Sequence, residues 1–158
     1  GENYYLLTDA LMSSKEASRI MKEEKNNQRV FEMFDHVTIS VSGIGSFYPT
    51  EESVLASPDF MSTEDLEMLK QENVSGDIAL RFFDHDGQEC NTTLKERMIS
   101  ISMEQFKKID RKISLVSGVS KANAVLSALK GGLVDVLILD SNLAEALLKL
   151  SEDMPSQK

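Results

Sequence analysis

The last third of the chain constrains the fold most. Ile113-Ser114-Leu115-Val116 is a β-branched, apolar run that reads as a strand, and Ser117-Gly118 turns out of it. Val119, Ala122, Val125, Leu126 and Leu129 then recur at helical spacing until Gly131-Gly132 stops the helix. Val134 to Leu139 is apolar apart from Asp135, as a parallel strand buried on both faces would be. Asp140-Ser141-Asn142 offers N-cap chemistry to a final helix with Leu143, Leu147 and Leu150 on one stripe. Strand, helix, strand, helix at this spacing predicts a layered α/β fold with a mainly parallel sheet.

The upstream signals are shorter. Tyr4 to Leu7 reads as a strand, and Ser14 to Phe34 as helical, with Asn26-Asn27 allowing two helices or one broken helix. Val37 to Val41 is a strand candidate that ends in Gly43-Ile44-Gly45-Ser46. Ser62 with Asp65 resembles a capping box and opens a helix bearing Leu66, Met68 and Leu69. Ser75-Gly76-Asp77 leads into a predicted strand from Ile78 to Phe83. Asp84-His85-Asp86-Gly87 then turns the chain into a return strand around Glu89 to Thr93. Ser102 and Gln105 form a second capping-box pattern before a brief helix.

Composition removes several function classes. Seventeen Lys and Arg against 26 Asp and Glu leave a net charge of −9. That balance argues against this segment gripping nucleic acid or an anionic membrane by bulk charge. A single Cys90 excludes a disulfide framework and any multi-thiolate zinc site. No apolar run reaches the roughly 18 residues of a membrane span. A reducing, cytoplasmic setting is the expectation. A chain of 158 residues fits one domain, able to bury roughly two-thirds of its unfolded surface.

In open α/β sheets, ligands gather beyond the carboxyl ends of the strands. Three loops occupy that position: Gly43 to Ser46, Ser117 to Lys121, and Asp140 to Asn142. The second is an anion site in outline. A glycine turn exposes N–H groups, the helix dipole favours negative charge, and Lys121 adds a cation. A solvated surface lysine is the alternative for Lys121. The Gly-Lys-Ser/Thr ending of a P-loop is absent. Gly43-x-Gly45 lacks the third glycine and following helix of a dinucleotide fingerprint, and its plainer reading is a tight turn with positive φ. Asp84-His85-Asp86 has no second His or Cys cluster to complete a metal site, so a hairpin turn is the stronger reading. Cys90, His36 and His85 make no persuasive nucleophile–base set. Arg97 suits either a phosphate or a surface ion pair.

Several segments together resemble one family. Gly76-Asp77-Ile78-Ala79-Leu80-Arg81-Phe82-Phe83-Asp84, then Gly87, Arg97-Met98-Ile99, Gly118-x-x-Lys121-Ala122 and the run from Leu129 to Leu137 are similar, in order and spacing, to the effector domain of SorC/DeoR-type sugar-responsive transcriptional regulators. The match extends from about Asp35 to Leu148, more loosely before that. Ser117 and Ser100 stand where the family commonly has glycine.

The resemblance implies a Rossmann-like fold similar to sugar-phosphate isomerases and glucosamine-phosphate deaminases. It implies a phosphorylated sugar effector, no cofactor and no catalysis. DNA binding would belong to a separate helix-turn-helix domain absent from this chain. Lys121 and Arg97 would pair with phosphate oxygens, Gly43, Gly45 and Gly118 would let the backbone approach the ligand, and Asp77 would accept sugar hydroxyls. The first half of the effector domain would also precede this segment, so residues 1–158 would form one partial domain, consistent with a start at Gly1 and not Met. A homo-oligomer follows from symmetric operator recognition. The alternative on the same fold is a sugar-phosphate isomerase or deaminase-like enzyme, for which no residue pattern marks a general base.

Overall fold

A computed structural model describes residues 1–152. The chain runs α1 (Lys15–Glu23), α2 (Lys25–Phe34), β1 (Ile39–Ser42), β2 (Ile44–Ser46), α3 (Thr63–Gln71), β3 (Gly76–Ile78), β4 (Arg81–Phe83), α4 (Leu94–Arg97), α5 (Met103–Lys107), β5 (Arg111–Val116), α6 (Ala122–Lys130), β6 (Val136–Leu139) and α7 (Ser141–Glu152). β1, β5 and β6 form a parallel sheet in the order β1-β5-β6, while β2, β3 and β4 form an antiparallel one. The predicted α/β fold with a parallel sheet is therefore the observed one. No helix among the described residues is long and apolar enough to cross a membrane.

Local chemistry explains most helix starts. Ser14 accepts from the Ala17 N–H, and Ser62 accepts from the Asp65 N–H. Ser102 and Gln105 make a complete capping box. Asp140 Oδ1 accepts from the Leu143 N–H, 3.0 Å away, and caps α7. Between Ser14 and Phe34 the chain forms two helices, broken at Glu24 and not at the asparagines. Asn27 is instead buried, its amide bonding the Met21 carbonyl and its Oδ1 accepting from the Leu7 N–H.

Three predicted strands differ. Tyr4 to Leu7 forms none, because its backbone finds Asn27 and not a sheet neighbour. Ile78 to Phe83 is two strands joined by a two-residue turn, with Ala79 and Leu80 both at positive φ (49° and 64°). Such turns normally use Asn or Gly. Here both residues are half-buried, Ala79 packing against one core cluster and Leu80 against the other, and this packing holds the strained turn. Glu89 to Thr93 contributes a single bridge, Glu89 to Phe83. β6 is also not buried on both faces. Val136 and Ile138 are 37% and 53% exposed, since the described helices cover only the face carrying Leu137 and Leu139.

The larger core joins the two sheets. Ile44, Ile78 and Phe83 from the antiparallel sheet meet Val116 of β5 and Ala124, Val125 and Ala128 of α6. The second cluster lies on the other side of the hairpin, around Leu69, Phe82, Leu94 and Met98. Gly43 is the point where the chain leaves the parallel sheet and enters the antiparallel one.

Candidate functional site

A cleft of about 620 Å³ opens at the carboxyl ends of β1 and β5, where the two sheets part. That size suits a small organic ligand. Gly43, Gly45, Asp77 and Lys121 all line it, together with Glu52 and Ser53 from the segment between β2 and α3. Among the described lining residues, Glu52, Asp77 and Lys121 are the ionisable ones.

Asp77 lies on β3, paired in register with Gly45 on β2. A Cβ at Gly45 would collide with Asp77 Oδ1 and lie 2.7 Å from Ser53 Oγ. Gly45 is thus required by close approach. Neither Gly43 nor Gly45 has positive φ, so the tight-turn reading of this pair is corrected. Asp77 Oδ1 accepts from the Ser53 hydroxyl at 2.5 Å. Burial pushes the Asp77 carboxyl up to about 6, against the Ser53 bond and the Lys121 charge, which both lower it.

Lys121 closes the 3-10 turn Val119–Lys121 that precedes α6, and its Nζ donates to the Ile44 carbonyl at 3.1 Å. Its ammonium is held at the cleft wall and does not extend freely into solvent. Gly118 stands just behind, at φ +102°, a conformation that favours glycine. The glycine turn predicts an N–H open to an anion, but this one donates to Asp140 Oδ2 at 2.8 Å. Asp140 is held below the usual carboxylate range by the Leu143 and Gly118 N–H groups. Gly118 therefore shapes the loop without lining the cleft, and Lys121 carries its positive charge.

Arg97 is not brought to the cleft. Its Nη1 donates to Asp65 Oδ1 at 2.7 Å and its Nε to the Met12 carbonyl at 2.8 Å. Its helix is fixed by Leu94 and the adjoining Met98, both buried in the second cluster, and from there the guanidinium reaches Asp65 and Met12. Arg97→Ala is expected to lower stability by about 1–3 kcal/mol, because Asp65 would lose its partner while largely buried. A urea titration reads this loss.

Ser53 and Glu52 carry no signal in the sequence, lying in an irregular run before Pro58. Ser53 caps the 3-10 turn Val54–Ala56, and Glu52 bonds the Ser120 hydroxyl. The strained turn residues Ala79 and Leu80 also line the cleft. Asp84 uses Oδ1 to accept from the Asp86 and Gln88 N–H groups, which accounts for the Asp-His-Asp run as a turn. No group of three potential metal ligands occurs among the described residues.

The two sheets, with charged and hydroxyl groups gathered where parallel strands end, define a ligand-binding α/β module. Residues 1–149 match the model of the Sugar-bind family, a sugar-binding domain, and the chain belongs to that family. It is 27% identical over 144 residues to the deoxyribonucleoside regulator of Bacillus subtilis (strain 168), covering 91% of this chain and 45% of that protein. A DeoR family transcriptional regulator from Listeria monocytogenes superposes with a TM-score of 0.82 at 31% identity, covering 90% of this chain and 57% of that one. The full-length sorbitol operon regulator SorC from Klebsiella pneumoniae superposes with a TM-score of 0.79 at 25% identity, covering 88% and 44%. The resemblance to SorC/DeoR-type regulators thus holds over their sugar-binding part. The chain spans less than half the length of the curated relatives it matches.

Proposed function

We propose that residues 1–158 are part of the effector-sensing domain of a sugar-responsive transcriptional regulator. In this reading a phosphorylated sugar occupies the cleft and alters DNA binding by a separate helix-turn-helix domain, in a cytoplasmic homo-oligomer. The observation that carries it is the convergence of Asp77 and Lys121, 44 positions apart, on one cleft at the strand ends. Lys121 supplies the cation for a phosphate oxygen and Asp77 an acceptor for a sugar hydroxyl. Gly43 and Gly45 keep the floor clear of side chains. The enzyme alternative draws no support from relatives that are regulators.

The cleft's position suggests how binding would be transmitted. Its walls come from β2 and β3 on one side and from β5 and the Lys121 turn on the other. A ligand bridging them favours one arrangement of the two sheets. It shifts the DNA-binding equilibrium only if it binds that arrangement better than the other.

A thermal-shift screen of hexose, pentose and triose phosphates beside their unphosphorylated counterparts tests the reading. At least one phosphate is expected to raise Tm where its free sugar does not. Lys121→Ala is expected to weaken that ligand about tenfold or more, the scale of a lost charge-assisted bond. Silence across the panel, or unchanged affinity in Lys121→Ala, would count against it.

A further inference from the structure

We infer that Ser53 is a positioning residue, which holds Asp77 Oδ1 beside Gly45 and so fixes the carboxylate that lines the cleft. The inference rests on the reading of the cleft as a sugar site. The geometry is directional. Ser53 Oγ accepts from the Leu55 N–H at 3.1 Å, which points its own proton toward Asp77 Oδ1 at 2.5 Å. A hydroxyl polarised in this way is a better donor. The missing side chain at Gly45 allows the pair to sit this close.

Asp77 Oδ2 accepts no hydrogen bond among the described residues, so the Ser53 hydroxyl is what holds this carboxylate at the cleft. Each carboxylate oxygen offers two acceptor sites, so the Ser53 bond leaves Asp77 able to accept a ligand hydroxyl while restraining how the carboxylate turns. Lys121 donates to the Ile44 carbonyl and Glu52 accepts from the Ser120 hydroxyl, so neither makes a hydrogen bond that holds Asp77.

Two measurements test this, and they fail separately. In ligand-free protein, the Asp77 carboxyl is titrated by carbon-13 NMR. The Ser53 bond favours the charged carboxylate, so Ser53→Ala should raise the midpoint by about half a pH unit or more. Ser53→Thr, which keeps the hydroxyl, should hold it at the wild-type value. Lys121 and Glu52 are intact in all three proteins, so the difference reports Ser53 alone. An unmoved midpoint in Ser53→Ala overturns the role of Ser53 whatever the cleft binds.

The second arm measures affinity for ribose 5-phosphate and 2-deoxyribose 5-phosphate at pH 8. Ser53→Thr should bind each within a few-fold of wild type. Ser53→Ala should weaken binding by about tenfold, since the carboxylate is no longer held for the ligand. Unchanged affinity in Ser53→Ala overturns the positioning role. Failure of every sugar phosphate to bind wild type overturns the proposed function instead, while the carboxyl titration still decides the pairing.

Discussion

Asp77→Asn is expected to stabilise the unliganded protein at pH 8, by about 3 kcal/mol, and to remove most of its response to a sugar phosphate. Burial raises the Asp77 carboxyl from its ordinary 3.8 to about 6. The folded protein therefore holds this proton more tightly than the unfolded chain does. The corresponding stability is fully present below about pH 4 and is lost as pH rises through about 6. At about 1.4 kcal/mol per pH unit, the charged carboxylate costs the fold about 3 kcal/mol above that range. Asparagine is nearly isosteric, carries no charge, and its amide oxygen can take the Ser53 bond. Urea titrations from pH 4 to pH 8 should show the variant's advantage growing with pH and vanishing near pH 4. A pH-independent difference would contradict the burial argument. A carboxylate that destabilises the empty fold in this way makes sense as a group kept for a ligand.

Phe83→Ala is expected to destabilise the protein by about 3–5 kcal/mol, a large part of the 5–15 kcal/mol that holds a typical domain together. Phe83 is fully buried, and its ring fills the space above Gly76 between β3 and α6. A Cβ on Gly76 would lie 2.8 Å from Phe83 Cζ and 2.9 Å from Ala124 Cβ. Backbone, ring and helix are thus in direct contact, and removing the ring leaves a cavity that none of these elements can close without moving. The urea midpoint should fall while the slope of the transition stays constant. Phe83→Leu, which keeps most of the volume, should cost less than about 1.5 kcal/mol. Equal losses for the two variants would mean that the ring is not packed as described. Because Phe83 joins the sheet carrying Asp77 to the helix that follows Lys121, the alanine variant should also weaken ligand binding without touching the cleft.

Much of the framework is legible locally. The strand–helix–strand–helix order of the last third, the Ser62, Ser102 and Asp140 caps, and the stop at Gly131-Gly132 all follow from groups within four residues of each other. Hydrophobic spacing and capping are short-range properties, so a reading along the chain finds them. Lys121 and Asp77 were also reachable, the first from its place after a strand and a glycine turn, the second only through the family resemblance. The failures share a cause. Ala79 and Leu80 lack turn chemistry, and packing against a different cluster on each side of the hairpin accompanies their positive φ.

What the sequence alone determined was the class of fold and the loops where strands end, because periodicity and turn residues act over a few positions. Tertiary structure alone decided which side chains meet there. It sent Arg97 to Asp65, 32 positions away, and brought Ser53 to Asp77 across 24. It also anchored Lys121 on the Ile44 carbonyl across 77. Those pairings depend on how two sheets and a helix pack, since burial sets the cost of leaving each polar group unpaired, and no local pattern encodes that cost.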